Sequence, residues 1–164
     1  MAKKTADTGP STPATVALTR AKIAFTPHAY AHDEGTTDFG AEAARALGVE
    51  PARVFKTLMV QTDQGLGIGI VPVDGLLDLK AVAAALGGKK AVMADPALAE
   101  KKSGYVVGGI SPIGQRMPLP TVLDDSALTH TTIFVSGGRR GFDIELAPAD
   151  LLRATNGRAA PIRR

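Results

Sequence analysis

The sequence predicts an α+β fold, a single domain with a mixed, mostly antiparallel β-sheet flanked by short α-helices. Three observations carry that expectation. Strand-like and helix-like stretches mix without the strict βαβ alternation of a doubly wound sheet. The 164 residues amount to one domain, long enough to bury a core without staples. No internal repeat or linker-like stretch divides the chain.

The elements follow in order. The opening MAKKTADTGPSTP has basic residues but no apolar core behind them, so it does not read as a secretory signal. Residues 1–11 are expected to be a disordered leader. Thr12 and Pro13 form an N-cap with proline in the first turn, and predict a helix over 13–22 with Val16, Leu18 and Ala21 inward. Residues 25–32 read as a strand. Thr37 or Asp38 caps a helix over 39–47, which stops at Gly48.

VFKTLMVQ (54–61) and LGIGIVPV (66–73) are β-prone, and Asp63-Gln64-Gly65 between them signals a hairpin. A helix over 79–86 stops at Gly87-Gly88, and 91–93 makes a short strand. Asp95-Pro96 starts another helix that ends near 102–104. Strand candidates follow at 121–123 and 132–135. SGGRRG (136–141) reads as a hairpin loop. In the strand 142–146, Phe142, Ile144 and Leu146 face inward and Asp143 and Glu145 outward. A helix over 148–155 closes the domain at Asn156-Gly157, and 158–164 is expected to be a basic tail.

Composition excludes several chemistries. The absence of Cys removes disulfides, thiolate metal sites and a cysteine nucleophile, and fits a reducing, cytoplasmic setting. No apolar run approaches the roughly 20 residues of a membrane span. The net charge of +3 is slight. Basic pairs at Lys89/Lys90, Lys101/Lys102 and Arg139/Arg140 could meet phosphates, or be solvated charges at element ends.

The densest chemical signal is YVVGGISPIGQ (105–115). Gly108, Gly109, Pro112 and Gly114 crowd a short loop after an apolar, β-prone tripeptide. Glycine lets a backbone approach a ligand, and proline stiffens the loop. Such a loop presents N–H groups to an oxyanion, an ester or a phosphate; it also suits a plain tight turn.

Lys56 lies inside an apolar strand, where Lys56, Leu58 and Val60 share one face. It must snorkel, pair with an acid or point into a cleft. His28, Tyr30 and His32 alternate on one strand face, which lines a cleft or meets solvent. As a metal site that face lacks a third ligand, so no metal and no cofactor is expected. Ser111 and Ser136 sit in glycine-rich loops outside any nucleophile-elbow pattern, and serve at most as hydrogen-bond donors. Asp143 and Glu145 share a strand face and suit either acid–base work or simple solvation.

Four segments, VFKTLMV (54–60), LDLKAVAAALGGKKAVMAD (77–95), GYVVGGISPIGQ (104–115) and VSGGRRGFDIEL (135–146), taken in this order and spacing, closely resemble the YbaK/EbsC family. The opening TPATVALTRAKIAFTPHAYAHD (12–33) resembles the family's first helix and strand. These are free-standing bacterial aminoacyl-tRNA deacylases related to the editing insertion domain of prolyl-tRNA synthetases. The resemblance implies that family's barrel-like editing fold over 12–157. It implies hydrolysis of the ester between a wrong amino acid and the 3′-terminal ribose of tRNA, with cysteine on proline tRNA as the YbaK subgroup's substrate.

The family's strand lysine falls on Lys56, and its G-x-x-x-P motif on Gly108, Gly109, Ile110, Ser111 and Pro112. Its late glycine loop falls on Ser136, Gly137 and Gly138, and its first-strand tyrosine on Tyr30. Gly114 and Asp143 stand beside these as substrate-binding candidates. The implied partners are the acceptor end of mischarged tRNA and prolyl-tRNA synthetase, with no membrane. The implied mechanism has the substrate's own thiol attack its ester, the enzyme supplying orientation. Other readings are a deacylase for another small amino acid such as alanine, or a non-catalytic module that binds tRNA or a synthetase.

Overall fold

The computed structural model describes residues 9–164; the expected leader, apart from residues 9–11, lies outside them. Helix α1 (Pro13–Arg20) starts in a reciprocal capping box, with Thr12 and Thr15 satisfying each other's amides. Its core face is Ala14, Thr15 and Leu18, while Val16 and Ala21, expected inward, are exposed. Leu18 fixes the helix orientation; a 100° step per residue carries Val16 to the opposite face, and Ala21 falls at the C-cap, beyond the last helical residue. Strand β1 is only Thr26–Ala29, shorter than expected, because the chain leaves the sheet at Tyr30. Helix α2 (Phe39–Leu47) is capped by Asp38 and ends on left-handed Gly48.

Strands β2 (Phe55–Thr62) and β3 (Gly65–Pro72) form the predicted hairpin. Helix α3 (Leu79–Ala85) lies on β3, and the missing Cβ atoms there let it approach: one on Gly67 would sit 2.6 Å from Leu86. Strand β4 (Ala91–Met93), helix α4 (Pro96–Ser103) and strand β5 (Thr121–Asp124) follow. Strand β6 (Ile133–Arg139) runs through most of the stretch expected as a loop, leaving only Arg140-Gly141 as the turn into β7 (Phe142–Leu146). Helix α5 (Pro148–Thr155) leads to β8 (Arg158–Ala160).

The α+β class holds, with two sheets rather than a closed barrel. One is antiparallel, in the order β1-β7-β6. The other runs β4-β2-β3-β5-β8, with β5 and β8 joining in parallel. A bridge between Val54 and Phe134 joins the sheets. The expected tail is instead sheet and core. Ile162 is fully buried, and Asp124 Oδ1 accepts the amides of Ile162 and Arg163 at 2.9 Å. The charges of Arg158, Arg163 and Arg164 hid a strand whose apolar signal is three residues long.

One consequence of this topology positions the site. On one side of β2, the β6 sheet pairs at Val54 and β4 pairs from Val60 onward. Between those points β2 has no strand neighbour on that side, and the two sheets part. Among the described residues no helix is long and apolar enough to cross a membrane.

Candidate active site

A cavity of about 360 Å3 fills the gap where the sheets part. Tyr30, Lys56, Gly108, Ile110, Ser136 and Asp143 line it. These six come from five separate segments: the end of β1, β2, the loop after α4, β6 and β7. Met59 O accepts the Ala94 amide on this side of β2. Strand alternation therefore turns the N–H and C=O of Thr57 into the gap as well.

Lys56 is half-buried and has no ion-pair partner among the described residues. The predicted faces of β2 hold, since Phe55 and Met59 enter the main core cluster and Leu58 and Val60 the one under α3. Asp143 is 6% exposed, and burial pushes its carboxyl up to about 7. Tyr30 sits nearby; burial first, and then the negative charges of Asp143 and Glu42, hold its phenol protonated. Of the two readings left open for this strand face, acid–base work or simple solvation, solvation does not hold at Asp143, which is covered. Glu145, two residues on, is bound by Thr132, His28 and Arg53. Burial raises the Glu145 carboxyl, but these partners outweigh it and hold it below the usual range. The two carboxylates thus do not work as a pair.

The glycine-rich segment is a loop with no strand before it. Tyr105, expected in a strand, turns inward, and its hydroxyl donates to Ile113 O at 2.7 Å. Val107 N donates to Glu100 Oε2 and Gly109 N to Val106 O, while Val107 O accepts from Arg140 Nε. The amides of Gly108, Ile110 and Ser111 have no acceptor among the described residues. Gly108 has φ +89, and a Cβ there would lie 2.8 Å from the Phe39 ring. The turn therefore needs glycine twice, for dihedral and for space.

Six of the nine predicted loop residues do not reach the cavity. Gly109 is buried against the backbone of Arg139 and Arg140. Ser111 is fully buried, its Oγ accepting from Ile113 N. Pro112 is buried beside it, and Gly114 (φ +69) packs on the Pro13 backbone. Gly137 packs on the Phe142 ring, and its carbonyl accepts from Thr12 Oγ1 at 2.6 Å. Gly138 lies on Tyr105 and Thr12, and its amide donates to Ser136 Oγ.

The three residues of the H-x-Y-x-H strand separate. Tyr30 lines the cavity, His28 bonds Glu145, and His32 Nδ1 meets Glu42 Oε1 at 2.7 Å. Among the described residues no three His, Cys, Asp or Glu side chains gather as metal ligands. Burial raises the Glu42 carboxyl, but the Asp33 amide and His32 outweigh it and hold it ionised. That pair fixes the N-terminal part of α2, and with it Phe39.

Sequence reasoning missed Phe39, Thr57, Met59 and Met93 as cavity walls. Thr57 Oγ1 is a buried oxygen with no hydrogen-bond partner among the described residues. Its signal in the sequence was adjacency to Lys56; that it faces a gap follows only from the parting of the sheets.

Comparisons with known proteins show the family and the fold. The family model described as "Aminoacyl-tRNA editing domain" matches residues 33–154. The chain is 43% identical over 120 residues to the "Putative Cys-tRNA(Pro)/Cys-tRNA(Cys) deacylase EbsC" of Enterococcus faecalis, covering 73% of each protein. Its fold matches the crystal structure of "a putative trans-editing enzyme for prolyl tRNA synthetase" with a TM-score of 0.83 and 26% identity, over 95% of this chain and 99% of the other. A "hypothetical protein APE2540" shares the fold at a TM-score of 0.83 and 24% identity, over 93% of this chain and all of the other.

Proposed function

Because the chain belongs to the aminoacyl-tRNA editing domain family, we propose that it acts in trans to remove wrongly attached cysteine from proline tRNA. The observation that carries this reading is the cavity wall. Among the described residues the amides of Gly108 and Ile110 have no acceptor, Lys56 in the same cavity has no ion-pair partner, and no imidazole lines the cavity to activate Ser136. Such a wall can hold an ester and its developing oxyanion but supplies no nucleophile.

An esterified cysteine brings its own. The sulfur attacks the acyl carbon, forming a C–S bond. The bond from that carbon to the ribose oxygen breaks, and that oxygen takes up the thiol's proton. The thiolactone released is then hydrolysed by water. The loop amides take the oxyanion, and Lys56 holds a ribose oxygen or the terminal phosphate. Asp143 and the Tyr30 phenol receive the α-ammonium, Thr57 Oγ1 offers one more polar contact, and Met59 and Met93 give the thiol a soft apolar wall. Prolyl-tRNA synthetase is the partner that would deliver the tRNA, in the cytoplasm where aminoacyl-tRNA is used.

The test is release of amino acid from proline tRNA charged with cysteine, serine or alanine. Cysteine is expected to leave about a hundredfold faster than serine, which has the hydroxyl but not the thiol, and Lys56→Ala to lose about 10²–10³ of the wild-type kcat/KM. Alanine released as fast as cysteine overturns the thiol mechanism. Binding without any release leaves a tRNA-binding module.

A further inference from the structure

We propose that Lys101, Lys102, Arg116 and Arg139 form a phosphate track that carries the acceptor end of the tRNA to the cavity mouth. The tRNA's identity rests on the deacylase reading above; the track itself rests on geometry and charge. Three elements bring these cations to the glycine loop. Lys101 and Lys102 end α4, whose first residues, Pro96 and Ala99, line the cavity. Arg116 follows the loop; its amide donates to Ser103 O and its guanidinium to Lys101 O. Arg139 ends β6, and its backbone lies against Gly109.

All four side chains lack an ion-pair partner among the described residues, and Lys101, Arg116 and Arg139 are exposed. Glu100, an acid within this group, is engaged by the Val107 amide. Arg140 is held differently. Its Nε donates to Val107 O and its guanidinium lies 4.9 Å over the Phe39 ring, so it braces the loop and is excluded from the track.

Lys101, Lys102 and the Arg116 guanidinium also complement the carbonyl end of α4, but Arg139 sits at no helix end, so the cluster exceeds what a helix dipole uses. Six residues at about 1.5 Å each place Lys102 roughly 9 Å along α4 from Pro96. At about 3.4 Å of axial rise per stacked nucleotide on one strand, that spans two to three phosphates of the acceptor end whose last nucleotide enters the cavity.

The test compares wild type with Lys101→Ala/Lys102→Ala/Arg116→Ala/Arg139→Ala on two substrates, cysteinyl-tRNA of proline type and 3′-cysteinyl adenosine. On tRNA, kcat/KM at low salt is expected to fall tenfold or more. On the adenosine ester it is expected to stay within about twofold. Binding of uncharged tRNA from 50 to 200 mM salt needs no chemistry. Each phosphate left without its cation should take away about a threefold change over that range, and Arg116→Lys should keep its share.

Parallel loss on both substrates, or an unchanged salt slope, overturns the track. So does a loss seen only when a synthetase is added, which would mark a protein dock. Wild-type protein that binds tRNA with the expected slope yet cleaves neither substrate ends the deacylase reading and leaves the track standing.

Discussion

Two glycine-rich segments meet beside the cavity and leave their backbone donors in different states. Between Val107 and Ile110, glycine frees a turn in which the Gly108 and Ile110 amides have no acceptor among the described residues, and both residues border the cavity. Between Ser136 and Gly141, glycine makes room for neighbours. Gly137 admits the Phe142 ring, Gly138 admits Tyr105 and Thr12, and Gly141 admits the Tyr30 carbonyl. The first segment leaves donors for a ligand and the second removes side chains from a packed seam. Neither glycine density nor what lies opposite the missing Cβ distinguishes the two, since Gly108 also packs on Phe39; the amides left without an acceptor do.

Substitution can break that contrast. The largest effect is expected at Gly108→Ala, which strains a φ of +89 and presses on Phe39. Displaced amides should lower deacylation by about ten- to a hundredfold, with a smaller change in melting temperature. Gly137→Ala should do the reverse. Overpacking against Phe142 should lower stability by about 1–3 kcal/mol, seen in denaturant unfolding, while kcat at low temperature stays near wild type. If both variants lose activity and stability in the same proportion, the two segments act as one unit.

Asp143→Asn tests the wall between them. Burial raises the folded carboxyl to about 7, above its unfolded value of about 3.9. The stability that a raised group contributes is fully present below about 3.9 and is lost as pH climbs to about 7. Relative to the Asn variant, wild type should therefore weaken as pH rises across that window, by at most about 1.4 kcal/mol per pH unit. Parallel pH–melting curves for the two proteins would place the Asp143 carboxylate in water. The smallest effect is expected at Ser136→Ala, which frees the Gly138 amide but removes no nucleophile; a few-fold loss in kcat/KM fits, and a loss beyond about 10²-fold would make that hydroxyl a reacting group.

The sequence told unequally of fold and site. Helix starts at Thr12, Asp38 and Asp95 were legible because a cap and a following proline or apolar run are local signals. Lys56 was legible because a cation in an apolar strand is anomalous anywhere. The tail strand Arg158–Ala160 was not, since its pairing with β5 is set by a distant neighbour. The roles of Gly114, Gly137 and Gly138 were hidden for the same reason: the atoms they accommodate are remote in sequence or across a turn. Asp143 stayed open between acid–base work and solvation because alternation gives a face, not what covers it.

The Asp124 clamp also has a consequence for synthesis. β5 lies between β3 and β8, and its outer edge is closed by residues that come 38 positions after Asp124. At about 5–20 residues per second, a ribosome needs roughly 2–8 s to make that stretch. For that interval a nascent chain shows an open strand edge, with Val60, Val71, Val82 and Val122 awaiting Ile162. A stalled or clipped chain ending before residue 158 would keep that edge open, which makes it a natural target for chaperones and proteases.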